Sequence, residues 1–188
     1  MASKVRDKII DTASELFYSK GYNLTGINEI IERAGIAKAT LYSHFRAKEE
    51  LLLAYLDAKD QKALQQLKAF IHERPVGKTR LLAVLEFVLE FFGKADFHGC
   101  WCVRTVAEIP PEKTEILDKI RENKSSFRDF LEELVRENKP ELEEEACSQM
   151  ASQLYVLYEG ALTESHLHNA DWPIKSALAL FESVLQRT

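Results

Sequence analysis

The chain has 188 residues, 46% of them apolar and 29% charged, the balance of a soluble globular protein with room for one large domain or two smaller ones sharing a helix. No apolar run approaches the about 18 residues of a membrane-spanning helix, and the charged opening MASKVRDKII lacks the apolar stretch of a signal peptide, so a cytoplasmic location is expected. The net charge of -5 speaks against a nucleic-acid binder only as an average: residues 1–48 hold eight Lys and Arg against five Asp and Glu, a net of +3, and residues 49–188 hold 17 against 25, a net of -8.

Strand signals are nearly absent, and the few glycines and prolines fall at natural breaks. Val5, Ile9, Ala13, Leu16 and Phe17 follow helical spacing until Gly21 stops the first helix. Thr25 is a fair N-cap for a short second helix, with Glu29 in its first turn and Ile27, Ile30, Ile31 and Ala34 as its buried stripe. Gly35 ends it, and a third short helix runs from Lys38 to Phe45. Longer helices are expected from Lys48 to His72 and from Lys78 to Lys94, then a short one over Cys100–Glu108. A long helix should start at Pro110–Pro111 and end near Asn138, and Glu141 to His168 and Trp172 to Arg187 close the series. The fold class is all-α with about nine helices.

Two short helices meeting at Ala34-Gly35-Ile36-Ala37 form a helix-turn-helix signature. At roughly 100° per residue, Leu41 and Phe45 share one side and must face the core. Ala39 and Ser43 then point away from it with Thr40 nearby, and Tyr42 and His44 lie on opposite flanks. Such a helix can enter a major groove, its outward side reading base edges and its flanks meeting phosphates.

These residues resemble the N-terminal pattern of the tetracycline-repressor (TetR) family. The match runs through Ala13-x-x-Leu16-Phe17, Gly21-Tyr22-x-x-Thr25, Ile30, Ala34-Gly35-Ile36, Lys38-x-Thr40-Leu41-Tyr42-x-His44-Phe45 and Lys48-Glu49-x-Leu51, covering about residues 4–55 without a gap. The resemblance implies a two-fold dimer in which each subunit reads half of a palindromic operator, most often as a repressor. It also implies a regulatory domain that binds a small molecule and so loosens the DNA. It makes Lys38, Tyr42 and His44 DNA contacts, and Thr25 and Lys48 phosphate contacts. Many members have glycine where this chain has Ala39, and Ser or Thr where it has Gly26. An alanine methyl could touch a thymine methyl but restricts close approach.

The resemblance divides the chain into a DNA-binding domain over 1–48 and a regulatory and dimerisation domain over 49–188. Aromatic residues of the body suit an apolar effector, with Phe91, Trp101 and Tyr155 as candidate pocket walls. The apolar last two helices suit the dimer interface that the family builds there. Three cysteines, Cys100, Cys102 and Cys147, are not expected to form structural disulfides in the cytosol. Cys100-x-Cys102 leaves a redox-responsive regulator as the alternative, although residues two apart on a helix point in nearly opposite directions. His166-x-His168 has the wrong spacing for a helical metal pair. No nucleophile elbow, phosphate loop, zinc signature or dinucleotide fingerprint appears, so neither an enzyme nor a cofactor is expected.

Overall fold

The computed structural model describes residues 2–94 and 96–187, with the side chains of 2, 3 and 187 left aside. Among the described residues there are nine helices and no strand: α1 (Ala2–Lys20), α2 (Ile27–Ala34), α3 (Lys38–His44), α4 (Lys48–His72), α5 (Lys78–Phe92), α6 (Trp101–Glu108), α7 (Thr114–Asn138), α8 (Glu144–His168) and α9 (Trp172–Arg187). The chain forms two compact units, Met1–Lys62 with Trp101–Asn123, and Ala63–Cys100 with Lys124–Thr188. Both α4 and α7 therefore contribute residues to each unit.

The breaks occur where the backbone demands them. Gly21, at φ +98°, closes α1 by donating its N–H to the Phe17 carbonyl at 3.0 Å. Gly35 takes the left-handed conformation (φ 61°, ψ 43°), and the next N–H, of Ile36, reaches back to the Ile31 carbonyl at 3.2 Å. This double closure satisfies the last carbonyls of α2 and turns the chain sharply into α3.

The third helix ends at His44 and the sixth starts at Trp101, each one residue inside its expected bound, and four other details differ. The N-cap of α2 is Gly26, with no side-chain cap, because Thr25 turns inward and donates its hydroxyl to the Gly21 carbonyl at 2.7 Å. The start of α7 moves from the proline pair to Thr114, since Pro110 to Lys113 close a turn of their own (Lys113 N–H to Pro110 carbonyl, 3.0 Å). The start of α8 moves from Glu141 to Glu144 for the same reason, with a turn from Lys139 to Leu142 ahead of it. At its other end, α5 stops at Phe92 rather than Lys94, where Gly93 caps it.

In the first unit, Ile9, Ala13, Leu16 and Phe17 of α1 are buried with Ile30 and Ala34 of α2, Leu41 and Phe45 of the third-helix segment, and Leu51, Leu52 and Leu56 of α4. Each fully buried side chain of this size contributes about 1.5–3 kcal/mol, so the helix-turn-helix is held by its own core. The second unit packs α5, α8 and α9 together. Its core includes Leu81, Leu85, Leu154, Ile174 and Phe181, all fully buried. Phe181 therefore cannot lie on an outer dimer seam, a position that the apolar pattern of α9 leaves open to it.

Candidate nucleic-acid interface

The outward side of α3 is the one that helical spacing places there. Leu41 and Phe45 are buried, which fixes the rotation of the helix. Lys38, Ala39, Tyr42 and Ser43 are then exposed, and Thr40 and His44 are half-buried at its margins. Tyr42 leaves 44% of its surface to solvent, a large exposure for an aromatic side chain and one suited to contact with another molecule. The Ser43 hydroxyl donates to the Thr40 carbonyl at 2.8 Å, so its lone pairs remain available to accept.

Behind this surface, Thr25 and Lys48 are engaged inside the protein. Thr25 is fully buried, so the phosphate contact expected of it requires its side chain to leave Gly21. The Lys48 ammonium donates to the Tyr22 carbonyl at 2.6 Å and lies 4.0 Å from the centre of the Tyr22 ring. Burial holds its pKa below the usual lysine range, opposed by the negative charges of Glu108 and Glu49. Two of its three N–H donors remain for an anion. Burial, with Glu49 adding to it, pushes the Tyr22 phenol up to about 12. Glu49 itself is held below the usual carboxylate range, first by its hydrogen bond from Lys113 at 2.9 Å.

A second set of contacts joins α6 to the helix-turn-helix within the first unit, and sequence spacing gives no hint of it. The Glu108 carboxylate accepts the Asn23 N–H at 2.7 Å, and the Glu108 carbonyl accepts the Asn23 side-chain amide at 2.7 Å. Four residues earlier, Arg104 donates to the Tyr18 carbonyl. Trp101 meets the Tyr18 ring edge-on at 6.5 Å and donates its indole N–H to Asp60 at 2.8 Å. Trp101, Arg104 and Glu108 form one stripe of α6, clamping the end of α1 and the turn that follows.

The matched family models give this geometry its context. The model for bacterial regulatory proteins of the tetR family matches residues 9–55, and that for the tetracyclin repressor-like C-terminal domain matches residues 77–181. The chain belongs to the TetR family. It is therefore a relative of DNA-binding transcriptional regulators, and the helix-turn-helix is the family's DNA-reading element. The chain is 34% identical over 86 residues to the transcriptional activator FasR of Mycolicibacterium smegmatis, covering 46% of this chain and 39% of that protein. It is 27% identical over 130 residues to the fatty acid metabolism regulator of Bacillus subtilis, covering 69% and 66%. Each alignment thus spans less than two thirds of the relative. A crystal structure of a TetR-family transcriptional regulator from Streptomyces coelicolor superposes with a TM-score of 0.86 at 27% identity, covering 100% of this chain and 91% of that one.

The three residues expected to line an effector pocket do not fall in one unit. Trp101 belongs to the first and is buried there. Phe91 and Tyr155 belong to the second. Phe91 stacks with Phe87 (centroids 6.3 Å apart) and meets Phe97 edge-on at 5.7 Å, and Tyr155 tilts against Phe127 at 6.2 Å. An open cleft of about 600 Å³ in the first unit is lined by Leu53, Asp57, Glu115, Asp118, Lys119 and Glu122. Its carboxylates make it unlike an apolar pocket.

Proposed function

We propose that the protein is a ligand-responsive repressor that binds a palindromic operator as a homodimer in the cytoplasm and is not an enzyme. The observation that carries this reading is α3: Leu41 and Phe45 anchor it while Lys38, Ala39, Tyr42 and Ser43 stand exposed. Residues 1–48 supply the DNA contacts, with Ala39, Thr40 and Ser43 toward base edges and Lys38, Tyr42, His44 and Lys48 toward the backbone. A protein that occupies a promoter only when free of ligand represses by exclusion.

Residues 49–188 carry the effector and the dimer. The half-buried aromatic run of Phe91, Phe92 and Phe97 suits a small apolar effector. On α8 and α9, Val156, Gly160, Leu167, Trp172 and Leu180 are exposed, and 156, 160 and 167 fall on one stripe of α8. A second copy is the natural cover for these apolar positions.

The test is to select bound duplexes from a random pool and titrate the recovered site at several salt concentrations. Symmetric half-sites about one helical turn apart and affinity falling steeply with salt are expected. Binding that ignores both sequence and salt would sink the reading.

One observation favours the redox alternative, and for Cys100 rather than for the Cys100–Cys102 pair. The Cys100 sulfur is 3.2 Å from the Lys124 ammonium, which also pairs with Glu159 at 2.5 Å. That ammonium is already paired with a carboxylate, and Cys100 is only 3% exposed. Packing therefore remains the primary role, and wild type and a folded Cys100→Ser, Cys102→Ser variant should bind DNA equally with and without peroxide. Loss of wild-type binding under peroxide, absent in the variant, would establish the alternative.

A further inference from the structure

Residues 1–48 hold eight Lys and Arg, and three of them have partners within the fold. Lys20 pairs with Glu29, Arg33 with Glu15 at 3.1 Å, and Lys48 is held on the Tyr22 carbonyl. The remaining five, Lys4, Arg6, Lys8, Lys38 and Arg46, are exposed, and none of their side-chain cations pairs with a carboxylate among the described residues, although the Arg46 backbone N–H donates to Glu50. Two of these five lie outside the helix-turn-helix motif yet are placed against it. The Arg6 guanidinium of α1 sits 5.1 Å from the centre of the Phe45 ring, at the C-terminal end of α3, next to Arg46 in the chain. The Lys8 ammonium approaches to 4.0 Å of the point where Gly35 would carry a Cβ, at the turn that leads into α3. Such cations thus stand beside both ends of the helix proposed to enter the groove, and a groove has a row of phosphates on each side.

We propose that Arg6 is a DNA-phosphate contact, held in place over the Phe45 ring. The proposal rests on the DNA-binding reading of α3 and adds a residue that neither the motif nor helical spacing singles out. A long arginine side chain normally loses much rotamer freedom on binding. Stacking on Phe45 removes part of that cost in advance while leaving the N–H fork open to two phosphate oxygens. Phe45 is itself buried by the core, so the platform under the guanidinium is fixed relative to α3.

A purely structural Arg6, stacked on the ring and balancing the end of α3, would also be exposed and would also touch Phe45. Salt dependence separates the two roles. Wild type, Arg6→Gln and Arg6→Lys are titrated with the selected operator and with a random-sequence duplex between 50 and 200 mM salt, about the range in which counterion release is usually read. One lost phosphate contact lowers the log–log slope by about 0.9 per bound protomer, so the affinity of a wild-type dimer, with two such contacts, should fall about 12-fold more than that of Arg6→Gln across that range. The loss should be the same on both duplexes, because phosphates carry no sequence. Arg6→Lys keeps the charge and should keep the slope, with weaker affinity throughout. All three proteins should melt alike. An Arg6→Gln protein with the wild-type slope overturns the assignment while leaving the DNA-binding reading intact. A wild type that binds neither duplex overturns both.

Discussion

Replacing Gly21 with alanine tests whether the α6 clamp is energetically real. At φ +98° a Cβ is strained in itself, and it would lie 2.6 Å from the nearer Glu108 carboxylate oxygen. The backbone strain costs about 1–3 kcal/mol. The carboxylate is the mobile end of its side chain and can swing away, but doing so releases the Asn23 N–H that it accepts at 2.7 Å. That hydrogen bond is solvent-exposed, so its loss adds only about 1 kcal/mol. Gly21→Ala should therefore cost about 2–4 kcal/mol, a large share of the roughly 5–15 kcal/mol that stabilises a typical domain. Urea unfolding of both single variants and of the Gly21→Ala, Glu108→Ala pair separates the two parts. With Glu108 already truncated, alanine at 21 should cost only the backbone strain, leaving the double variant about 1 kcal/mol more stable than additivity demands. Additivity within about 0.3–0.5 kcal/mol would show that Glu108 does not grip this turn. Operator affinity should fall in parallel even where the protein stays folded, because the Tyr22 carbonyl in this turn holds Lys48.

On α9, Phe181→Ala should cost about 3–5 kcal/mol in thermal or urea unfolding, since Phe181 is 0% exposed. Leu180→Glu, one residue earlier and 59% exposed, should leave protomer stability within about 0.5 kcal/mol yet yield monomers in sedimentation and weaker operator binding. A dimeric Leu180→Glu protein with full affinity would remove the proposed seam. Thr40 and Ser43 substitutions should alter which bases are preferred in a selection experiment, whereas Lys48→Ala should weaken all sequences and lower the salt slope by about one unit per bound protomer. Among the tyrosines, Tyr22 should ionise near pH 12, after the ordinary range about 10, in an absorbance titration near 295 nm. Its folded value lies above its unfolded one, so its contribution is complete below pH 10 and is lost as pH rises from 10 toward 12. Tyr22→Phe should flatten that decline.

The helical order and the reading side of α3 were legible because they depend on local signals. Gly21 and Gly35 stop helices wherever they occur, and two core residues four apart, Leu41 and Phe45, fix the rotation of a seven-residue helix. What escaped involves choices between partners. A threonine ahead of a helix can cap it or turn inward, and only the Gly21 carbonyl decides the case of Thr25. Glu108 and Asn23 are 85 residues apart and carry no shared pattern. On α9, Phe181 and Leu180 are equally apolar, and one residue of rotation separates a protomer core from an outer surface. Periodicity finds an apolar stripe but not which molecule covers it. Pocket residues are harder still, because aromatic side chains such as Phe91, Trp101 and Tyr155 serve a core and a ligand equally well.

The distribution of charge ties affinity to assembly. A body with a net of -8 over residues 49–188 repels DNA at a distance, and two of the eight cations in residues 1–48 are paired with carboxylates within the fold. One protomer is left with few phosphate contacts, and α3, at seven residues, can read only a few base pairs. In the proposed homodimer two such heads would bind at once, so useful affinity would depend on their separation as strongly as on any single contact. An effector held by the second unit needs no contact with DNA to act: it only has to favour one head spacing over another. The helices α4 and α7 each contribute residues to both units, so such a preference would have two continuous helices along which to act. A coupling of about 1–3 kcal/mol would weaken operator binding by roughly 5- to 150-fold, enough to release a promoter without unfolding either unit.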